Sequence, residues 1–423
     1  MELIGAEVGG DILRINLGAF RPYLITRPEH LDRVLYDNKE NYQRQGWLWR
    51  PLSRLIGDPS GSDDLWWTKR EVFQNLVSGP SIKRFSDAMA RTISASVQEM
   101  AARAENGRPL DAADEMARIV YRAITKVLIG DKITNDQADR IGAALQAASA
   151  ALRPRLAFPF VPNAVPFPGD RTFRRAVRVV DSLVFPIVEQ AQRQGSDGED
   201  IVSRLLQART ADGQRFDLQQ LRDGLVSLFV AGTETTTIAL TFLWTVLDSQ
   251  PQVAETLQQE VDRVVGDGPI TGAHLLELGY ARKVALEMLR LYPPGWMLPR
   301  MVANDDVIGG VPIKGGSLIV MSPYLTHRLP DVWENPLEFD PGRHDPGQQR
   351  HRFAYMTFGG GPHACVGKQF FTAEVQLILA AITSRFRPQV VGSPPTRPQL
   401  GLTLRPRQRV QIRLRQTGPL AKR

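Results

Sequence analysis

The sequence predicts a mainly α-helical fold with small β-sheets, in a single domain over residues 1–423. Three observations predict it. Apolar residues recur at helical spacing through most of the chain. Two-residue alternation is confined to stretches near 11–27, 307–321 and 402–415. No internal repeat or linker-like tract divides the 423 residues, and a chain that is 43% hydrophobic and 23% charged can bury one large core.

Residues 12–17 and 23–26 read as two short strands joined around Gly18 and Pro22. From 29 to about 130 the period is helical, most clearly at 82–104, with a turn-rich break at 57–64. Residues 153–169 hold five prolines among Phe158, Phe160, Val161, Val165 and Phe167. That is an apolar loop, either packed on the surface or closing over an apolar cavity. Residues 217–249 read as one helix stopping before Pro251, about 50 Å long at 1.5 Å per residue. Within it, 226–247 carry one charge, Glu234, so a membrane span has to be weighed. A central acid is costly in lipid, and Thr233, Thr235, Thr236, Thr237 and Thr241 accompany it, which favours a helix through the middle of a large domain. Two more helices follow at 251–265 and 275–291. A hairpin turns at Gly309-Gly310, a strand covers 318–321, and a last helix covers 366–386.

Cys365 is the lone cysteine, which excludes an internal disulfide framework and a cysteine-based zinc finger. The net charge of +7 resembles that of a nucleic-acid binder until it is located. Residues 403–423 carry seven basic groups (Arg405, Arg407, Arg409, Arg413, Arg415, Lys422, Arg423) and no acid, leaving 45 basic against 45 acidic residues elsewhere. There Val410, Ile412 and Leu414 alternate with polar residues, the pattern of a strand with one solvated face, so no nucleic-acid partner is expected. The N-terminus has no basic start before an apolar run, so no signal peptide is read and a cytoplasmic protein is expected.

The chemistry concentrates in Phe358-Gly359-Gly360-Gly361-Pro362-His363-Ala364-Cys365-Val366-Gly367. Three glycines and a proline force a tight loop before a helix, whose N-terminus favours a thiolate. A buried apolar cysteine after a glycine turn is the plainer reading. The whole string resembles the haem-binding loop of the cytochrome P-450 superfamily, Phe-Gly-x-Gly-x-(Arg or His)-x-Cys-x-Gly. The resemblance implies the cytochrome P-450 fold, with the long central helix over a haem b (iron protoporphyrin IX). It makes Cys365 the axial thiolate ligand of the metal and His363 a propionate partner. Phe358, Gly359 and Gly367 are the loop's other fixed positions.

Four further strings carry the resemblance along nearly the whole chain. Ala231-Gly232-Thr233-Glu234-Thr235 is similar to the family's oxygen-activation motif, with Ala231 beside the haem, a groove beside Gly232, and Glu234 and Thr235 as catalytic relay acid and hydroxyl. Glu287-Met288-Leu289-Arg290, with Arg343 downstream, resembles the family's structural Glu-x-x-Arg network. Gly342 and His344 depart from the acid and aromatic usual on either side of that arginine. Trp66-Trp67-Thr68-Lys69-Arg70 resembles the Trp-x-x-x-Arg motif, and Arg300 stands at the spacing of another propionate-binding arginine. Family members commonly carry some tens of residues before the first strand, whereas Ile12 comes almost at once; whether the natural product is longer is left open.

The resemblance implies a haem-thiolate monooxygenase that inserts one oxygen atom from O2 into a C–H or C=C bond of a lipophilic small molecule. No reductase segment is read in the chain, so electrons are expected from NAD(P)H through a separate ferredoxin and ferredoxin reductase. Lys368 and the tail arginines would dock such an acidic partner. Trp296, Met297, Leu298, Phe229, Val230 and Leu400 are the expected substrate pocket, with Trp47, Leu48 and Trp49 in a closing loop; plain core packing is the alternative for each. Arginine outnumbers lysine 43 to 9, suggesting a GC-rich bacterial genome and tailoring of a terpenoid or polyketide. Three other readings stay open: a peroxide-driven enzyme, a non-monooxygenase haem-thiolate enzyme, and a non-catalytic binder of haem or apolar ligands.

Overall fold

The computed structural model describes residues 12–16, 21–44, 49–57, 64–194, 198, 200–392 and 397–416. Its helices are α1 (Pro28–Asp32), α2 (Arg50–Ile56), α3 (Asp64–Leu76), α4 (Gly79–Arg103), α5 (Ala112–Ile129), α6 (Asn135–Ala157), α7 (Asp170–Gln194) and α8 (Ile201–Gln207). They continue with α9 (Leu218–Ser249), α10 (Pro251–Val265), α11 (Gly279–Leu291), α12 (Pro323–Thr326) and α13 (Lys368–Thr383).

The long helix is α9, and its ends are written in the sequence. The Asp217 side chain accepts from the Gln220 N–H while the Gln220 side chain accepts from the Asp217 N–H. This capping box satisfies two end donors that the helix itself leaves unpaired. Pro251 disfavours helical geometry at Gln250 and stops the helix there. Residues 236–247 of α9 are buried in the protein interior, Phe242 and Trp244 among them. Two stretches, Leu218–Ser249 and Gly361–Thr383, are long and apolar enough to cross a membrane; both are mostly buried against other elements of the fold.

Five strands form the larger sheet: β1 (Leu13–Arg14), β2 (Tyr23–Ile25), β3 (Tyr42–Gln43), β5 (Leu298–Val302) and β8 (Leu318–Met321), in the order β1-β2-β8-β5-β3. β2 pairs with β8 in parallel, Tyr23 opposite Ile319, which ties the start of the chain to its last third. A smaller sheet runs β4 (Leu110–Asp111), β12 (Gln411–Gln416), β9 (Phe386–Val391). Two hairpins complete the set: β6 (Asp306–Ile308) with β7 (Val311–Ile313), and β10 (Pro398–Gln399) with β11 (Arg405–Pro406). In β12 Ile412 is buried and Arg413 exposed, as the alternation predicts.

Some expected boundaries move. The last helix begins at Lys368, not 366, because Gly367 caps it, and Phe386 opens β9. Residues 153–157 belong to α6, so the proline-rich loop begins at Phe158. Leu298, expected in the substrate pocket, is the first residue of β5. Residue 17 of the first expected strand, Trp47, Leu48, Lys422 and Arg423 lie outside the described residues.

Candidate active site

Cys365 closes a tight loop. Its N–H donates to the Phe358 carbonyl at 2.7 Å, and the Ala364 N–H donates to the Gly361 carbonyl at 3.1 Å. Gly359 and Gly361 have φ of +68° and +64°, a region that side chains rarely enter. A Cβ on Gly361 would also stand 2.2 Å from the Leu35 carbonyl oxygen, so this turn requires glycine twice over. Gly367 leaves the sulfur clear: a Cβ there would lie 3.7 Å from Cys365 Sγ. Cys365 is enclosed by protein atoms, yet its surface is open, as at the floor of a concavity. Burial pushes its thiol up, against the pull of the Gly367 N–H and the charge of Arg70.

Cations gather around that loop. Arg70, on α3, donates to the Ala364 carbonyl at 2.7 Å and passes its guanidinium 5.7 Å from the Trp66 ring centroid. His363 lies against Trp66 and Trp67, at 5.2 and 5.6 Å between centroids, and its buried Nδ1 has no partner among the described residues. Burial, then the charges of Arg44, Arg300 and Arg70, lower His363 to about 4. Arg300, at the centre of β5, is 7% exposed; its guanidinium donates to the Pro299 carbonyl, and no described carboxylate pairs with it. Burial and the neighbouring Arg44 lower it to about 9. A cavity of about 430 Å³ opens on Arg44, Trp67, Arg300 and His363. Arg300 is thus a buried cation with no carboxylate partner among the described residues, beside a neutral His363, in a cavity that Lys39 and Glu40 also line; that arrangement suits an anion the protein itself does not supply.

The central helix changes character beside this region. Ala231 is exposed and Thr235 half-exposed, although Phe229, Thr233 and Thr236 on neighbouring positions are buried. Thr235 Oγ1 donates to the Ala231 carbonyl at 2.8 Å. Such back-bonding is what loosens helices at threonine runs. Gly232 does not open a groove on that face: a Cβ there would stand 2.3 Å from Ile124 Cδ1, so it serves the packing of α9 on α5. Glu234 is held from far along the chain. Arg405 donates to its Oε1 at 2.5 Å, Thr403 donates to the same oxygen at 2.9 Å, and the Arg405 Nε donates to Thr403. One arginine of the basic tail is therefore turned inward and is not part of an external docking face.

The network around Glu287 is complete. Glu287 and Arg290, both 0% exposed, form two parallel hydrogen bonds of 2.9 Å. Arg290 also donates to the carbonyls of His327, Pro336 and Glu338. Arg343 lies 3.4 Å from Glu287 and donates to Glu334 and Asn335 carbonyls. His344, the departure from the usual aromatic, is 3.0 Å from Glu287 and takes part directly. His327 accepts from the Met356 N–H through Nε2, so its Nδ1 carries the proton given to the Arg290 carbonyl. Burial lowers it to about 3.

A model of the family described as Cytochrome P450 matches residues 6–413. The chain is 30% identical over 386 residues to the cyclooctat-9-en-7-ol 5-monooxygenase of Streptomyces melanosporofaciens, covering 89% of this chain and 82% of that one. It is 27% identical to the pentalenene oxygenase of Streptomyces avermitilis, covering 97% and 91%. It is 29% identical to the cyclooctatin synthase of Streptomyces melanosporofaciens, covering 94% and 87%. This chain belongs to the cytochrome P450 family.

It is a cytochrome P450 monooxygenase, and its cofactor is haem. The residues present fit that group: an accessible thiol at the floor of a concavity, glycines beside it, and Arg70 and Arg300, neither paired with a carboxylate among the described residues, for the propionates. Of the expected substrate-lining residues, the structure brings several together. The Trp296 indole N–H donates to the Gly401 carbonyl at 2.8 Å, joining residues 296–298 to the terminal hairpin that carries the exposed Leu400. Leu298 approaches Gly359 of the cysteine loop, and Met297 and Val230 are partly exposed. Phe229 is a correction. It is 0% exposed and packs in the main core, because it faces away from Ala231 on the helix. Trp49 is half-buried under the Arg44 guanidinium, 4.7 Å from its ring centroid.

Sequence inspection missed three participants: Arg44, the Thr403–Arg405 pair, and Glu374. Glu374 is fully buried on α13, faces Thr236 of α9, and neither carboxyl oxygen has a hydrogen-bond partner within bonding geometry among the described residues. Burial holds its carboxyl well above the usual range, which favours the protonated form. An acid inside the apolar run 370–382 was its visible signal.

Proposed function

We propose that this monooxygenase inserts one oxygen atom of O2 into a C–H or C=C bond of a terpenoid-like small molecule. The observation that carries the reading is the break in the buried surface of α9. Ala231 and Thr235 are open there, with an acid between them held by the terminal hairpin. The relatives act, by their names, on a hydrocarbon and on an alcohol derived from one. Met297, Leu298, Val230 and Leu400 offer matching apolar surface.

In this reading Cys365 Sγ would ligate the haem iron, and Arg70, Arg300 and His363 would hold its propionates. The bound haem supplies oxygen activation and, with thiolate behind it, O–O cleavage. Thr235 and Glu234 move protons to the reacting oxygen, which a peroxide-driven enzyme would not need. Electrons come from NAD(P)H through a separate ferredoxin and its reductase. Lys368, exposed at the start of α13 beside the cysteine loop, offers such an acidic partner a cation.

The test is the absorption spectrum of the reduced, carbon monoxide-bound holoprotein, followed by turnover. The wild type gives the long-wavelength Soret band of thiolate ligation, and Cys365→Ser abolishes it. Thr235→Ala keeps the band but diverts consumed O2 from product to peroxide. Full coupling in Thr235→Ala would overturn the proton-delivery reading.

A further inference from the structure

We propose that Thr403 and Arg405 are positioning residues for Glu234, and that the clamp they form makes a closed terminal hairpin and a placed acid one and the same state. The inference rests on the proposed role of Glu234 as relay acid. Three bonds close a ring. Arg405 Nη2 donates to Glu234 Oε1 at 2.5 Å, Arg405 Nε donates to Thr403 Oγ1 at 3.0 Å, and Thr403 Oγ1 donates to the same Oε1 at 2.9 Å. The rigid fork of the guanidinium supplies two donors at once, so each bond fixes the direction of the next. Glu234 Oε1 is thereby committed twice, while Oε2 accepts no hydrogen bond among the described residues. The clamp leaves one carboxylate oxygen, in a fixed place beside Thr235, for proton transfer.

The other end of the clamp is a lightly built ribbon. β10 and β11 have two residues each, and Gln399 pairs with Arg405. Such a ribbon is marginal by itself, so side-chain bonds decide whether it stays down. Its base is anchored, because Leu404 is 0% exposed among Leu24, Tyr324 and Leu325, and its N–H donates to the Pro294 carbonyl. Its tip is open. Gln399, Leu400 and Gly401 are exposed, and the tip is tied down by the Trp296 indole on the Gly401 carbonyl and by Thr403 on Glu234. Arg405 stands across the ribbon from Gln399, the neighbour of Leu400. A molecule that lifts Leu400 therefore pulls on Arg405, and loss of the bond to Glu234 loosens the tip. Arg153 on α6 and Tyr121 on α5 also feel the charges of this pair. Arg153 gives Glu234 a second cation nearby, so removing Arg405 does not strand the carboxylate.

The experiment pairs two readouts on the full haem-loaded protein: amide hydrogen exchange over residues 398–406, and the C–O stretch of the reduced, carbon monoxide-bound form. Arg405→Met should speed exchange of the tip amides about tenfold to hundredfold, the value of a charge-assisted hydrogen bond, and leave exchange elsewhere unchanged. Thr403→Val keeps the ion pair and should speed it less. Arg405→Lys keeps one charged donor and should recover part of the protection. Glu234→Gln added to Arg405→Met should speed exchange no further, because both act through one contact. Glu234→Gln by itself should shift the C–O stretch, and Arg405→Met should shift or broaden it as the acid loses its place. Arg407→Met, at an exposed side chain of the same hairpin, should leave both readouts at wild type. Wild-type exchange in Arg405→Met, additive effects in the double variant, or an unmoved stretch in Arg405→Met where Glu234→Gln moves it would overturn the proposal. If Arg405→Met fails to hold haem, Thr403→Val carries the same comparison, and wild-type exchange there overturns it. An unmoved stretch in Glu234→Gln itself is a different failure: it would remove Glu234 from the reacting site, and the relay reading would fall together with this one.

Discussion

Arg290 and Arg300 stand ten positions apart and are both buried, yet their surroundings are opposite. Arg290 spends its guanidinium on Glu287 and three backbone carbonyls. Arg300 has one backbone carbonyl, a neighbouring arginine and no carboxylate among the described residues. A buried charge with every donor satisfied belongs to the scaffold. A buried charge left unsatisfied is costly to the polypeptide alone, and that cost is offset when an anion arrives. The same test separates Glu287, fully partnered, from Glu374, which has no hydrogen-bond partner among the described residues and whose carboxyl burial holds well above the usual range.

Methionine at each arginine should break the symmetry most visibly. Arg290→Met strips buried Glu287 of its bidentate partner and leaves three backbone carbonyls without their donor, and should cost about 3–5 kcal/mol in urea unfolding, enough to prevent folding in cells. Arg300→Met should leave the haem-free protein as stable as wild type or more so. It should weaken haem retention about tenfold to hundredfold, the value of a charge-assisted bond, as measured by haem transfer to an acceptor protein. Equal destabilisation of the two haem-free variants would end the distinction. His344→Phe, which restores the usual aromatic, should cost about 1.5 kcal/mol by removing one bond to Glu287.

The smallest effect is a slope. His327 and His363 have folded values of about 3 and 4, below the ordinary 6.5. Each contributes stability that is present above 6.5 and lost as pH falls. Glu374 is raised above 4.5, so it contributes stability at low pH that is lost as pH rises. Between pH 4.5 and 6.5 the two histidines make the stability of the haem-free protein fall on acidification, and Glu374 opposes them. Glu374→Gln should therefore steepen that fall towards about 2.7 kcal/mol per unit, the value for two histidines alone, measured by denaturant titration at several pH values. An unchanged slope would mean that Glu374 is ionised in the folded state.

Local spacing determined what local geometry can encode. Asp217 and Gln220 cap α9 across three residues, Glu287 and Arg290 meet across one helical turn, and the glycines of 359–367 bend the chain around Cys365. These are short-range constraints, so the helical class, the central helix and the cysteine loop were legible in the residues themselves. Tertiary structure decided which charges would be answered. Arg405 reaches Glu234 across 171 positions, His344 reaches Glu287 across 57, Phe229 turns into the core, and Arg300 pairs with no carboxylate among the described residues. Pairing and burial at such separations depend on how distant elements pack, and the local hydrophobic period carries no information about that packing.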